Sequence, residues 1–360
     1  MKNKEAACPA RKTSIGGQAL IEGIMMRGPK KSAMAVRDPK GEMVIEEWEN
    51  TASKRPAICK WPLIRGVFGF IDSMTVGYKA LMRSAEIAID EEEEEKAKAE
   101  KKAKKEETRA KKNKAPKKEK NKEKDGKKET DTLFGVLMGV ASVLGVILAV
   151  VLFIVLPNYI YKWLESVIPF LPLENTALNS LVKSGFEGLL RIAVLVGYMA
   201  LVTLMKDIRR TFMYHGAEHK TIFCYENGLE LTVENVKKQR RFHPRCGTSF
   251  LILMLLVSMF ISFFIDPIFI LATGSEAHVA IRSVIKLLLL PINMGIGYEL
   301  IKLAGKYDNL FTRIISAPGM WLQHVTVLEP EDDMIECAIA AFEKVLPENE
   351  KKEEEKTTEE

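Results

Sequence analysis

The sequence predicts an α-helical integral membrane protein with about four transmembrane helices, a small cytoplasmic α+β unit at the N-terminus and a cytoplasmic C-terminal helix. The first observation behind this is Leu133–Leu156, whose 24 residues carry no charge and match the ~20 apolar residues that span a bilayer. The second is the tract directly before it, Asp90–Asp131, which holds 17 Lys/Arg and 14 Asp/Glu. The apolar segment raises the mean hydropathy of the chain and the charged tract lowers it, so the mean is only −0.03.

Three further segments have the length and apolar content of membrane spans. They are Phe186–Met205, Gly247–Ile265 and Val279–Ile301. The last has the weakest pattern because it contains Arg282, Lys286, Pro291 and Glu299. We therefore expect a four-span membrane domain over residues 132–305.

The distribution of Lys and Arg predicts the orientation of these spans, since positive residues collect in cytoplasmic loops. The connection 206–245 contains nine Lys/Arg, whereas 157–185 contains two and 266–278 contains none. We therefore expect a multi-pass membrane protein with the loop 206–246 and both termini in the cytoplasm. Five isolated cysteines and an N-terminus without an apolar core argue against a disulfide-rich secreted protein.

The remaining segments are predicted from composition and periodicity. Residues 1–89 form the N-terminal unit, a β-meander with strands at 18–26, 32–37 and 42–48, followed by an amphipathic helix. That helix either packs on the meander or lies in the membrane interface. Residues 90–131 form a charged low-complexity linker, which is a tether or a segment that touches anionic lipid or RNA. Residues 306–346 form a cytoplasmic helical part, with a helix after Pro330, and 347–360 form a disordered tail.

The strongest chemical signal is the motif H-x-x-E-H, formed by His215, Glu218 and His219 directly after the second predicted span. Histidines four residues apart project from one face of a helix, so both can bind one ion. Neutral imidazole suits a divalent metal such as Zn²⁺, and a neighbouring carboxylate can act as a general base. We expect His215 and His219 to be metal ligands and Glu218 to be the catalytic residue.

Two histidines do not complete a zinc site, which takes three protein ligands plus water or four protein ligands. The predicted topology brings His243, Cys246 and Glu299 to the same membrane level, and we expect the missing ligands among them. Several alternatives remain open. The first two histidines could be solvated helix ends, His243 could cap the third span, Cys246 could be a packing residue or a nucleophile, and Glu299 could pair with Lys302.

Four stretches carry a resemblance to a known family. They are Gly16–Pro29, Tyr214–Lys220, His243–Phe250 and Pro318–Gln323. Together they make the chain similar to the YqhQ-like bacterial membrane proteins, a family of unknown function that is labelled as a predicted metal-dependent enzyme. The resemblance implies an inner-membrane protein with a metal site at the H-x-x-E-H positions. We also expect the glycine-rich stretch Gly16–Pro29 to cover that site, because both are cytoplasmic.

Two functions from different classes follow. The first is a metal-dependent, hydrolase-like membrane enzyme acting on a lipid, a lipid-linked molecule or a membrane peptide. The second is a non-catalytic membrane factor, in which the same residues form a structural metal site or a polar network. Its charged and basic cytoplasmic segments would then recruit a partner such as the ribosome or membrane-protein biogenesis machinery. Membrane lipids are expected partners in both cases, and specific DNA binding is not expected.

Overall fold

The computed structural model describes residues 13–50, 56–88, 140, 143–168, 176–275, 278–307 and 309–347. The chain is mostly helical, with one small antiparallel sheet near its N-terminus, as predicted. It divides into two compact units, one of residues 1–90 with 195–360 and one of residues 91–194. The predicted linker 90–131 and the predicted tail beyond Pro347 lie outside the described residues.

Four strands form the sheet in the order β1-β2-β3-β4, and each pairs antiparallel with the next. They are β1 Gly16–Leu20, β2 Gly23–Arg27, β3 Lys31–Arg37 and β4 Met43–Glu49. The prediction of a single strand over 18–26 is wrong, because a two-residue turn at Ile21 and Glu22 divides it. Glu22 has a φ of 49°, the positive value that tight hairpin turns require.

The described part of the chain contains ten helices, named here in chain order. They are α1 Ile64–Ala88, α2 Val143–Val167, α3 Thr176–Val202, α4 Lys206–Glu226, α5 Val233–Lys237, α6 Gly247–Thr273, α7 Val279–Leu288, α8 Leu290–Lys306, α9 Leu310–Thr326 and α10 Asp332–Val345. A short 3₁₀ turn, Ala57–Lys60, precedes α1.

Three described helices are long and apolar enough to cross a membrane, namely α2, α3 and α6. A fourth candidate is the pair α7 and α8, which is bent by 47° at the break. The predicted ends of the spans are corrected in three places. The first helix continues through Pro157 to Val167, the second ends at Val202 rather than Met205, and the third continues through Pro267 to Thr273.

The unit of residues 91–194 contains α2 and most of α3. Arg191 of α3 donates to the carboxylate of Glu187, one turn earlier, and to the backbone carbonyl of Phe153 in α2. Phe153 lies in a π-helical segment of α2, Val151–Val155. A charged pair can therefore occur inside a candidate span, because each charge has its partner there. The ring of Tyr161 packs against Phe186 between the same two helices.

In the other unit, the sheet is packed on both faces. One face places Leu20, Met25, Met34 and Val36 against Ala80 of α1. The opposite face joins α4 and α10 in the main core. Side chains alternate between the two faces of a strand, so strands buried on both sides are apolar almost throughout, as in β3. This packing fixes α4, which carries the H-x-x-E-H motif, directly beside β1.

Candidate metal centre

The two histidines of the motif lie on one face of α4, as their spacing predicts. The rings of His215 and His219 are 4.5 Å apart, centroid to centroid. His215 is 9% exposed and His219 is 1% exposed. The two imidazoles are therefore buried, and the alternative in which they are solvated helix ends does not hold. α4 begins separately from the second candidate span, after Met205, whose backbone is extended.

A backbone carbonyl holds each imidazole through its Nδ1 atom. His215 Nδ1 donates to the carbonyl of Thr326 at 2.9 Å, and His219 Nδ1 donates to the carbonyl of Arg241 at 2.6 Å. Because a carbonyl only accepts, these bonds place a proton on Nδ1 of both rings. The remaining Nε2 atoms then face the interior of the site. Metal-binding histidines are commonly oriented by such a bond.

Cys246 completes a cluster of three donor atoms. It is the N-cap residue of α6, and its Sγ lies 3.1 Å from His215 Nε2 and 3.1 Å from Thr248 Oγ1. Ligand atoms of His215, His219 and Cys246 all lie within 4.8 Å of one another. We call these three residues the His–Cys cluster. The Nε2 atom of His219 is buried and has no hydrogen-bond partner among the described residues.

The charges in this cluster are coupled. Burial raises the pKa of the Cys246 thiol, but the two neighbouring imidazoles outweigh it and lower the pKa well below its usual value. The start of a helix also favours a thiolate. Burial lowers the pKa of His215, whereas the Cys246 thiolate and the hydrogen bond between them raise it to about 9. The cluster therefore contains a thiolate, the form of cysteine that binds metal.

Glu218 lies next to the cluster and is held by the sheet. Its Oε1 atom accepts a hydrogen bond from the backbone N–H of Gly17 in β1, at 2.9 Å. Burial raises the pKa of Glu218, and the two imidazoles partly oppose that effect. A side chain on Gly17 would meet Glu218 at 2.9 Å, so glycine is needed for this close approach. The glycine-rich stretch thus contacts the site through β1.

Gly216 has a role that the sequence analysis missed. A Cβ atom at this position would lie 1.9 Å from the backbone carbonyl of Leu328. The chain runs alongside α4 there, and Leu328 N donates to the carbonyl of Phe212. Glycine therefore allows the segment after α9 to pack directly on α4. Thr326, the last residue of α9, supplies its carbonyl to His215 directly before this segment.

His243 lies beside the cluster, but its donor atoms are used elsewhere. Its ring is 5.5 Å from the ring of His219. Its Nδ1 accepts the backbone N–H of Arg245 at 3.2 Å, and its Nε2 lies 3.4 Å from Arg245 Nη2 and 4.0 Å from Glu226 Oε2. Arg245 also pairs with Glu226. Both ring nitrogens of His243 therefore face Arg245 and Glu226 rather than the cluster. Gln323 holds its backbone through both the N–H and the carbonyl.

Glu299, the last predicted ligand, is not brought to the cluster. It lies in α8 and pairs through both carboxylate oxygens with the guanidinium of Arg65 in α1. A carboxylate paired with a full positive charge does not need a metal ion to balance it. The alternative that Glu299 pairs with a lysine such as Lys302 is wrong in its partner, because the ion pair is formed with Arg65.

The carbonyls of Thr326 and Arg241 could not be found from the sequence, because a backbone acceptor leaves no pattern in the residue types. Among the predicted residues, the structure brings together His215, His219 and Cys246, with Glu218 adjacent. These residues come from two helices, and loop and strand backbone orients them. Such a set can hold a metal ion through three ligands and leave a further coordination position.

Comparison with known proteins places the chain in a family. The family described as "Protein of unknown function (DUF1385)" matches residues 61–348. The "Uncharacterized protein YqhQ" of Bacillus subtilis (strain 168) is 29% identical over 338 residues, which is 92% of this chain and 92% of that protein. No solved structure matches the chain. The chain therefore belongs to the DUF1385 family of proteins of unknown function, as the resemblance to YqhQ-like proteins implied.

Proposed function

We propose that this protein is a metal-dependent hydrolase of the bacterial inner membrane. The His–Cys cluster would bind Zn²⁺, and Glu218 would act as the general base. The observation that carries this proposal is the convergence of three donors, in which both imidazoles are anchored at Nδ1 and direct Nε2 toward a thiolate. Two imidazoles and one thiolate form a donor set that suits Zn²⁺. When bound, Zn²⁺ supplies Lewis-acid polarisation of a carbonyl or phosphoryl oxygen.

The residues of this chain supply the other functions. His215 and His219 keep Nε2 directed inward because Nδ1 donates to a carbonyl in both rings. The Nε2 proton that His215 shares with the Cys246 thiolate would be released when a metal binds. Glu218 is positioned to take a proton from water, and its raised pKa brings it closer to the range in which a base works near neutral pH. Gly17 fixes the orientation of this carboxylate.

The position of the cluster supports a membrane-associated substrate. Cys246 directly precedes Gly247, the first residue of the candidate span α6. The nine Lys/Arg of residues 206–245 support a cytoplasmic position for this end of α6 under the positive-inside rule. The substrate would be a lipid, a lipid-linked molecule or a membrane peptide that reaches the cytoplasmic surface of the bilayer.

One observation favours the second function, a non-catalytic membrane factor with a structural metal site. His219 is 1% exposed and Glu218 is 6% exposed, and β1 contacts the site from one side. Structural zinc sites are closed in this way, whereas catalytic sites keep an open position. The basic residues around α4 and α5 would then contact a partner such as the ribosome.

Cobalt substitution tests the site without knowledge of the substrate. The detergent-purified protein is loaded with Co²⁺, and its absorption spectrum is recorded. We expect the intense visible bands of tetrahedral Co²⁺ and a near-ultraviolet thiolate-to-cobalt band that is lost in Cys246→Ser. The matched control is Cys59→Ser, which should keep the band because Cys59 lies in the 3₁₀ turn outside the cluster. A wild-type spectrum without the thiolate band contradicts the proposal.

Acetohydroxamate then separates the two functions, because it binds a metal only where a coordination position is open. A catalytic site should change its Co²⁺ spectrum when acetohydroxamate is added, and Glu218→Gln should still bind Co²⁺. A closed structural site should show no change, and removal of the metal should unfold the protein.

A further inference from the structure

Helix α1 has two halves with different surroundings. Its C-terminal half packs on the sheet, where Gly77 contacts Gln18 and the Ser84 hydroxyl accepts from the N–H of Ile21. Its N-terminal half instead lies against the candidate span formed by α7 and α8. α1 first contacts the sheet at Asp72, which pairs with Arg27 of β2.

The contacts of α8 show how far the N-terminal half of α1 lies from the first residue of α6. A Cβ atom on Gly305 would meet the Arg245 side chain, just before α6 begins. A Cβ atom on Gly297 would meet Phe250 and Met254, which at ~1.5 Å per residue lie about 5 and 10 Å into α6. The two helices therefore run antiparallel, and residues of α8 before Gly297 lie deeper still.

The start of α1 packs at this depth. A Cβ atom on Gly295 would lie 2.8 Å from the Cα of Leu63, and one on Gly66 would lie 2.7 Å from Tyr298 Cβ. Small residues that allow backbones to approach closely are typical of helix contacts in membranes. Leu63 has a φ of 66°, and its irregular backbone is covered by α8. Irregular backbone is tolerated at membrane depth only where protein or an aqueous cavity covers it.

The charged residues here are also consistent with an apolar surrounding. Arg65 of α1 pairs bidentately with Glu299 of α8. A charge at membrane depth is costly unless it has a partner. The rings of Phe70 and Phe250 are 5.7 Å apart, so the next turn of α1 still contacts α6.

The outward side of this region is apolar and exposed. Four large side chains of residues 56–70 are between 40% and 60% exposed, namely Ile58, Trp61, Leu63 and Phe68. The candidate spans that this segment packs on also expose large apolar side chains, which include Phe260, Phe264 and Ile292. Several exposed apolar side chains in one segment indicate an interaction site.

We propose that residues 56–70 form a re-entrant membrane segment, which enters the cytoplasmic leaflet, packs on α8 and returns to the sheet through α1. Its exposed side chains would contact lipid acyl chains. The proposal rests on the membrane insertion of the candidate spans, as stated under the proposed function, but it requires neither metal binding nor hydrolysis. The sequence left two alternatives for this helix, packing on the meander or lying in the membrane interface. In this proposal both apply, because the C-terminal half packs on the sheet and the N-terminal half lies in the membrane.

Tryptophan fluorescence tests this proposal with residues that the chain already contains. Its four tryptophans are Trp48, Trp61, Trp163 and Trp321. Three single-tryptophan proteins, keeping Trp48, Trp61 or Trp163 and carrying phenylalanine at the other positions, are reconstituted into phosphatidylcholine–phosphatidylglycerol vesicles. The quenchers are acyl-brominated lipid and aqueous iodide. We expect Trp61 to lose most of its fluorescence to brominated lipid, and Trp48, in β4, to respond to iodide only.

Trp163 separates the possible failures, because it lies in the candidate span α2. If brominated lipid quenches Trp163 while Trp61 responds to iodide or to neither quencher, residues 56–70 lie in water or under protein. The re-entrant segment is then wrong and membrane insertion stands. If brominated lipid quenches neither tryptophan, both proposals fail.

A matched glycine pair tests the contact with α8. Gly66→Ala places a methyl group 2.7 Å from Tyr298, whereas the nearest atom to a methyl group on Gly69 is 3.5 Å away. We expect Gly66→Ala to reduce the lipid quenching of Trp61 and Gly69→Ala to leave it unchanged. Unchanged quenching in Gly66→Ala would show that α8 does not hold this segment in the membrane.

Discussion

The His–Cys cluster and the Arg65–Glu299 pair are both polar groups beside candidate membrane spans, but they satisfy their atoms in opposite ways. In the pair, a guanidinium and a carboxylate neutralise each other directly. In the cluster, Nδ1 of both imidazoles donates a hydrogen bond to a backbone carbonyl. The Nε2 atom of His219 has no hydrogen-bond partner among the described residues. In the pair the opposite charges balance each other, whereas the cluster presents inward-facing donor atoms of the kind that bind a cation. This difference is the reason why we propose the cluster, and not the pair, as the chemical centre.

The largest expected effect comes from forcing apart the elements that build the cluster. Gly216→Ala would place a methyl group 1.9 Å from the carbonyl of Leu328, so backbone must move. Overpacking of this kind costs ~3 kcal/mol or more where backbone cannot yield. We expect a clear fall in Tm of the detergent-solubilised protein and a loss of metal binding. The matched control is Gly197→Ala in α3, where a Cβ atom meets nothing within 4 Å, and an equal fall in Tm there would contradict this account.

A smaller effect is expected from opening the ion pair. Arg65→Leu leaves Glu299 without its partner, and an unpaired charge at membrane depth should cost about 2–3 kcal/mol. The double variant Arg65→Leu/Glu299→Leu should recover much of the loss, since no charge is left unpaired. Thermal unfolding measures the stability, and the metal content should not change in either variant. Loss of metal from the double variant would show that Glu299 contributes to metal binding.

The smallest effect concerns His243, the histidine that the structure separates from the other two. His243→Gln should retain the bound metal, with an affinity at most ~10-fold lower, because it removes a neighbour of His219 and not a ligand. Titration with Zn²⁺ against a chromogenic chelator measures that affinity. His219→Gln under the same conditions should weaken binding far more. Equal losses of Zn²⁺ affinity in the two variants would show that His243 is a ligand and contradict its separation from the cluster.

Much of the fold could be predicted from the sequence, because apolar length and charge are local properties. The four apolar segments and the antiparallel sheet were found in this way, although the helix ends were shifted where Pro157 and Pro267 continue a helix that proline was expected to end. The hairpin at Glu22 was missed because glutamate does not signal the positive φ that it adopts.

The site could be predicted only in part. The spacing of His215 and His219 predicts that they share one face, because residues four apart do so in any α-helix. The choice among His243, Cys246 and Glu299 depends on packing between distant segments, which residue types do not reveal. Arg65 lies 234 residues from Glu299, and no local pattern connects them. The contacts of His243 with Arg245 and Glu226 likewise depend on tertiary packing.

The central claim is that the His–Cys cluster binds a metal ion, and metal analysis tests it most directly. The wild type and the double variant His215→Ala/His219→Ala are purified in detergent without chelator, and their metal content is measured by mass spectrometry. His324→Ala serves as the control, since His324 is exposed on α9 and outside the cluster. We predict close to one Zn²⁺ per chain in the wild type and in the control, and almost none in the double variant. A wild type without metal, or a double variant that keeps it, would contradict the claim.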